Sequence, residues 1–200
     1  MNHTPSIITA LLLAALPAFA GTAPSGKAPC CQPAPEEPTF SYNFVEAGWT
    51  HLNFDDFGNT DGYYLHASYS PINSVFVFGE WGQDFGNPDR DLIDMGVGVY
   101  IPLVKRVHWV TTAGAGYVNT DGNGGSDESW AFNASTGLRI RMCPKSELEL
   151  AYDLSVDSHD THHGASAAIL YNVTANVQLV ARGHFSQDEN GFGVGLRYNF

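Results

Sequence analysis

In the stretch Ile93-Asp94-Met95-Gly96-Val97-Gly98-Val99-Tyr100-Ile101, large apolar residues alternate strictly with acidic, glycine or tyrosine residues. A period of two is typical of a β-strand, which places successive side chains on opposite faces of a sheet. The apolar face carries Ile93, Met95, Val97, Val99 and Ile101. A soluble sandwich shows the same alternation, so this stretch alone leaves two all-β architectures open.

The same alternation recurs along the chain from Tyr42 onward. Each segment is close to the roughly 9–11 residues that a tilted strand needs to cross a bilayer. The predicted strands span residues 42–52, 62–70, 75–84, 91–101, 107–118, 130–141, 147–156, 164–171, 175–185 and 191–200. We therefore predict that residues 40–200 form an all-β, antiparallel up-and-down transmembrane β-barrel of about ten strands, with eight strands as the alternative.

The charges in these strands fall almost entirely on the face opposite the apolar one, as a polar lumen requires. The residues predicted to form a lumen network are Glu46, Glu80, Arg139, Arg141, Glu147, Glu149, Arg182 and Arg197. Around the predicted turn 142–146, Arg141 is expected opposite Glu147, and Arg139 opposite Glu149. Closure of the barrel is expected to bring Glu46 and Arg197 to similar depth. Inward glycines are expected to leave space for these long side chains.

Connections between the predicted strands alternate between short and long, and the long ones are acidic. Bacterial barrels have short periplasmic turns and longer extracellular loops, so the acidic loops are predicted to lie outside the cell. The acidic residues are interpreted as solvated loop charges; bridging by divalent cations from the lipopolysaccharide layer is the alternative.

The final strand, Gly191-Phe192-Gly193-Val194-Gly195-Leu196-Arg197-Tyr198-Asn199-Phe200, resembles the C-terminal assembly signal of bacterial outer-membrane proteins. Residues 42–49 and 75–81 are similar to strands of the small OmpA/OmpX-like barrel superfamily. The resemblance implies an outer-membrane protein of a Gram-negative cell, in contact with lipid and lipopolysaccharide. It also implies recognition of residues 191–200 by the barrel-assembly machinery. Members of that superfamily commonly have eight strands, so a count of ten departs from the usual case.

The N-terminus has a different character. Residues 7–16 form a short apolar core, and Ala18-Phe19-Ala20 has the form of a signal-peptidase site, although no Lys or Arg precedes the core. Residues 1–20 are therefore predicted to be a signal peptide for Sec-type export, with a buried helix as the alternative. Residues 21–39, rich in Pro, Ala and Gly, are predicted to be a disordered periplasmic tether.

Composition excludes two classes of protein. The net charge of −12 argues against a nucleic-acid partner, which requires a basic surface. No internal apolar run approaches the roughly 20 residues of a membrane-spanning helix. No cofactor is predicted.

Two smaller groups of residues are candidates for further chemistry. His159, His162 and His163 can supply imidazole ligands for Zn²⁺ or Cu²⁺, although no strand-borne third ligand is evident. Cys30, Cys31 and Cys143 are all predicted to lie in the oxidising periplasm, where a tether cysteine can reach Cys143. A strained bond between Cys30 and Cys31, and an intermolecular bond, remain alternatives.

We expect a non-enzymatic integral outer-membrane protein with a structural or surface-recognition role and a charge-filled lumen. The exposed loops would carry recognition, but no feature of the sequence names their ligand. A narrow channel is the first alternative, and an omptin-like surface hydrolase is the second.

Overall fold

The structure of the protein is a computed structural model that describes residues 40–54, 58–86, 89–122, 125–157, 160–186 and 189–200. The predicted signal peptide (1–20) and tether (21–39) lie outside the described residues. Within the described part of the chain, no helix is long and apolar enough to cross a membrane.

The described residues form ten antiparallel strands in a single closed barrel. The strands are β1 (Phe44–Phe54), β2 (Gly58–Ile72), β3 (Val75–Phe85), β4 (Asp89–Val104), β5 (Val107–Gly122), β6 (Gly125–Cys143), β7 (Ser146–Val156), β8 (Thr161–Asn172), β9 (Val177–Ser186) and β10 (Glu189–Asn199). Each strand pairs with its neighbours in sequence, and β10 returns to pair with β1. The predicted up-and-down barrel of ten strands is confirmed.

The two faces of the wall differ as the alternation predicts. Along β4, Ile93, Met95 and Val97 are each about half exposed on the barrel exterior, while the intervening residues are less exposed. Large apolar and aromatic side chains are exposed at corresponding positions of the other strands, whereas Glu46 and Arg197 are buried. This is the reverse of the arrangement in a soluble globular protein, and it is typical of a barrel whose exterior faces lipid and whose interior is polar.

One sequence-based expectation about the connections is wrong. The predicted long loops at residues 53–61 and 119–129 are mostly strand, because β2 begins at Gly58 and β5 pairs with β6 as far as Gly122 and Gly125. Backbone hydrogen bonds between strands do not depend on side-chain polarity, so the strands continue through polar residues such as Asp121, which the apolar alternation does not include. At about 3.3 Å per residue, the 19 residues of β6 exceed the length needed to cross a bilayer.

The barrel has a turn end and a loop end. At the turn end, residues 73–74, 105–106, 144–145 and 173–176 connect β2 to β3, β4 to β5, β6 to β7 and β8 to β9. Both chain ends of the barrel, Phe44 and Asn199, also lie at this end, where they are register partners. The loop end is the opposite end.

Candidate functional site in the barrel lumen

Charged side chains form a continuous network inside the barrel near the turn end. On β6 and β7 the register pairs Arg141 with Glu147 and Arg139 with Glu149, the arrangement predicted around the turn. Arg141 Nη2 donates to Glu147 Oε1 at 2.6 Å, and Arg139 Nη2 donates to Glu147 Oε2 at 2.7 Å. Glu147 therefore bridges the two arginines. The sequence did not predict the contact between Arg139 and Glu147.

The network continues to the strands that close the barrel. Glu149 Oε1 lies 3.3 Å from Arg139 Nε and 3.2 Å from Arg197 Nη1. Arg197 Nε donates to Glu46 Oε2 at 2.6 Å, and Arg182 Nη2 donates to Glu46 Oε1. The chain of contacts thus runs from Arg141 to Arg182 through five strands, β6, β7, β10, β1 and β9.

Pairing within the network offsets the cost of burying it. Four arginines alternate with three glutamates, and Glu46, Arg139, Glu147 and Arg197 are almost completely buried. Removing an ion from water costs several kcal/mol unless a partner and further hydrogen bonds compensate. Because every carboxylate of the network contacts two arginines, the loss of any one member leaves a buried charge poorly compensated.

Aromatic rings complete the environment of the arginines. The Arg197 guanidinium lies 4.0 Å from the centre of the Phe44 ring, and that of Arg182 lies 4.8 Å from the Tyr64 ring. The Tyr64 hydroxyl donates to Glu46 Oε1 at 2.8 Å. A Cβ atom at Gly48 or Gly195 would lie within 2.6 Å of Tyr64 atoms, so these glycines make room for a ring. At Gly193, another inward glycine, a Cβ atom would lie 3.3 Å from Arg182 Cγ, in line with the expectation that inward glycines leave space for charged chains.

The residues just before β1 also lie in the lumen. Phe40 and Tyr42 are buried, and β1 begins at Phe44 rather than at residue 42 as predicted. The Tyr42 hydroxyl is hydrogen-bonded to His108 Nδ1 at 3.0 Å, and its ring stacks on Tyr100 at 4.0 Å between centroids. Sequence reasoning missed this contact, because its only signal is two aromatic residues at the edge of a Pro-rich segment.

A cavity of about 730 Å³ occupies the rest of the lumen. Its lining includes Tyr42 and Arg139 near the turn end and Asp157 and Glu189 near the loop end. Asp94 on β4 accepts a hydrogen bond from Asn133 Nδ2 on β6 at 3.1 Å, across the glycines of β5. Most acidic residues of the lining lie on the loop side of the network, where they give water in the cavity polar partners.

Glu80 does not join the network to which it was assigned. Its carboxylate lines the cavity and lies 4.0 Å from His66 Nδ1, its neighbour in the register of β2 and β3. The alternation correctly predicts that Glu80 faces the lumen, but it does not specify how far along the barrel axis the side chain lies. Glu80 lies closer to the loop end because each neighbouring strand of a barrel is staggered relative to the last.

A second ion cluster, which sequence reasoning missed, lies toward the loop end. Arg90 Nε donates to Asp84 Oδ2 at 2.9 Å, and Arg90 Nη1 donates to Glu189 Oε2 at 3.1 Å. The residues belong to β4, β3 and β10, and Arg90 and Glu189 are 99 positions apart in the chain. No local pattern indicates the contact between Arg90 and Glu189. The available signal was that Arg90 stands among acidic residues in the sequence.

The histidines of the predicted metal site do not converge. His162 and His163 lie in β8 rather than in a loop, so their side chains leave opposite faces of the strand. His162 Nε2 lies 3.7 Å from Asp157 Oδ2, and His163 Nδ1 lies 2.6 Å from the Tyr152 hydroxyl. His159 lies outside the described residues, and among the described ones no three His, Cys, Asp or Glu side chains are placed to hold a metal.

Cys143 ends β6 at the turn end of the barrel. Its thiol is exposed and lies 2.9 Å from the Ser146 hydroxyl. Cys30 and Cys31 lie outside the described residues, so a disulfide between either of them and Cys143 stays a prediction.

A closed barrel with an exposed apolar exterior and buried, paired charges inside defines the class: the chain is a transmembrane β-barrel protein. No protein-family model matches the sequence, and no curated protein matches it.

Solved structures of similar fold include bacterial membrane barrels. The translocator domain of the autotransporter NalP from Neisseria meningitidis shares 9% identity over 79% of this chain and 88% of that one, with a TM-score of 0.48. Ail, the attachment invasion locus protein of Yersinia pestis, shares 15% identity over 80% and 99%, with a TM-score of 0.40. The N-terminal barrel of OprF from Pseudomonas aeruginosa shares 14% identity over 80% and 100%, with a TM-score of 0.41.

Proposed function

We propose that this protein is an integral protein of the outer membrane of a Gram-negative cell and that it is exported by the Sec pathway. Its barrel is closed and has a structural or surface-recognition role without catalysis. The observation that carries the proposal is the combination of an apolar exterior with a buried ion network that links five strands inside the lumen, from Arg141 to Arg182. A lumen dedicated to conduction would instead keep its charges hydrated and its centre open.

The proposed partners follow from the barrel surface. Exposed residues such as Val97 and Leu196 meet the lipid, and lipopolysaccharide surrounds the loop end. Phe192, Val194 and Tyr198 of β10 are exposed in a row on the exterior, a pattern suited to recognition of residues 191–200 by the barrel-assembly machinery. The surface ligand is not specified by this proposal.

A narrow channel is the second candidate function, and the lumen cavity favours it. The cavity of about 730 Å³ is large enough to hold many water molecules. It reaches Tyr42 and Arg139 near the turn end, where the ion network and the aromatic side chains meet it. The two candidates therefore differ in whether ions can pass that layer.

The experiment uses purified, refolded protein. A heat-modifiability gel should show a folded form that migrates differently from the boiled one, and a planar bilayer should show no steady conductance in KCl. Steady single-channel steps from wild-type protein would overturn the closed barrel in favour of the channel. Cleavage of test peptides by the same preparation, lost on boiling, would overturn the absence of catalysis.

A further inference from the structure

Near the turn end, the lumen is lined by two groups of side chains that come from opposite parts of the wall. The ion network comes from β1, β6, β7, β9 and β10. An aromatic group comes from β3, β4 and β5, where Phe76, Tyr100 and His108 face inward. The segment Phe40–Asn43 lies between these two groups.

Both groups contact the segment. On the network side, the Arg139 guanidinium lies 5.1 Å from the Phe40 ring and from the Tyr42 ring, and that of Arg141 lies 4.7 Å from Phe40. On the aromatic side, Phe40 meets His108 edge-on at 4.5 Å and Tyr42 stacks on Tyr100. The two rings of the segment thus fill the space that the wall leaves open.

The segment is held differently from the strand that follows it. From Phe44 onward, β1 is paired on both sides, with β2 and β10. Residues 40–42 precede that ladder and are held by ring contacts and a few hydrogen bonds, such as those of Ser68 Oγ to the Tyr42 carbonyl and Arg139 Nη1 to the Ser41 carbonyl, both 2.8 Å. Asn43 is tied to the wall, because its carbonyl accepts from Phe200 N at 3.1 Å and its Oδ1 accepts from Ser70 N at 2.7 Å. Residues 40–42 can therefore leave the lumen about a hinge at Asn43 without breaking a strand pair of the barrel.

Tyr42 also belongs to the boundary of the lumen cavity, whereas Phe40 lies beyond it toward the turn end. Water in the cavity is thus separated from the turn end by the Tyr42 ring and the layer behind it. The remaining members of that layer, Arg139 and the rings of Phe76 and Tyr100, are anchored in the wall.

We propose that residues 40–42 are a plug, and that its withdrawal opens a passage through the barrel for small ions. This inference rests on the proposed closed barrel, and it assigns the closure to the aromatic side chains of Phe40 and Tyr42 rather than to the ion network alone.

The test compares three refolded proteins in planar bilayers in KCl. These are the wild type, the double variant Phe40→Gly/Tyr42→Gly, and the control Phe132→Gly/Tyr152→Gly, which removes two exposed exterior rings. We expect steady conductance steps from the plug variant, and none from the wild type or the control. Heat-modifiability gels establish that each barrel is folded; if the double variant does not fold, Tyr42→Ala alone replaces it.

The outcomes separate the two proposals. A folded plug variant that stays silent would overturn the plug and leave the closed barrel intact, because the ion network would then suffice as the seal. Conductance of the wild type equal to that of the plug variant would overturn both the plug and the closed barrel. Conductance of the exterior control alone would also overturn the plug, since leakage would then follow from a weakened wall.

Discussion

Glu46 on β1 and Arg197 on β10 are direct register partners at the seam where the first and last strands close the barrel. Arg197 Nε donates to Glu46 Oε2 at 2.6 Å, and the two side chains are almost completely buried. The pair is 151 positions apart in the chain, so the contact exists only once the barrel has closed. The seam therefore holds its strands by backbone hydrogen bonds and by a buried ion pair.

Replacing Glu46 with Gln should weaken the closed barrel strongly. The variant leaves Arg182 and Arg197 without their shared carboxylate, and breaking a buried ion pair from one side costs roughly 3–5 kcal/mol. We expect the heat-modifiable folded band to disappear at a markedly lower temperature. The control is Glu80→Gln, whose carboxylate is about one third exposed and lies 4.0 Å from His66 Nδ1. Equal losses in both variants would contradict a special role for the seam.

Replacing Arg139 with Ala should also destabilise the protein, because Glu147 and Glu149 both lose a partner and the Ser41 carbonyl loses a donor. We expect a loss of roughly 3–5 kcal/mol in the free energy of unfolding, measured by urea titration in lipid vesicles. Arg90→Ala is the matched control, since Arg90 also contacts two carboxylates but is 23% exposed, against 4% for Arg139. The control should lose clearly less, and a reversed order would refute the network as the main polar stabiliser.

Gly98 provides a test of packing in the lumen. A Cβ atom there would come within 2.1–2.6 Å of the Phe76 ring, and the three nearest atoms all belong to that ring. Gly98→Ala should therefore destabilise the barrel by about 1–3 kcal/mol through overpacking. Phe76→Ala alone should also destabilise, but the double variant should lose less than the sum of the two. Strict additivity in this double-mutant cycle would show that the predicted clash does not occur.

The orientation of the barrel is tested by labelling on intact cells. In a background with all three cysteines changed to Ser, Asp160→Cys should react with a membrane-impermeant maleimide, because residue 160 is exposed at the loop end. Ser74→Cys, in a turn at the opposite end, should not react until the cells are opened. The reverse pattern would invert the orientation, and the labelling of both sites on intact cells would argue against insertion in the outer membrane.

The cysteines carry a separate prediction. Cys143 is exposed at the turn end, two residues after Arg141, whose guanidinium lies 4.7 Å from the Phe40 ring. A bond from Cys143 to Cys30 or Cys31 would link the N-terminal segment to the barrel. Mass spectrometry of unreduced peptides from native membranes should find Cys143 joined to one of them. Recovery of Cys143 as a free thiol would exclude the link.

Much of the barrel could be predicted from local patterns. Alternation along Ile93–Ile101 and its counterparts predicted ten strands and the outward faces, because lipid excludes charge at each outward position independently. The Arg139–Glu149 and Arg141–Glu147 pairs followed from a short turn, which specifies the register of its two strands. Strand ends were not predictable, since polar residues such as Glu128 continue the ladder beyond the apolar region.

Which side chains meet inside the lumen depends on distances between strands far apart in the sequence, and no local pattern contains these distances. Alternation shows that Glu46, Glu80 and Arg182 point inward, but not at which depth each side chain lies. The stagger of the closed barrel decides that Arg182 reaches Glu46 while Glu80 remains beside the cavity. The closed barrel also brings Tyr42 into contact with Tyr100 and His108 in the lumen. Only closure places the residues just before β1 opposite β4 and β5.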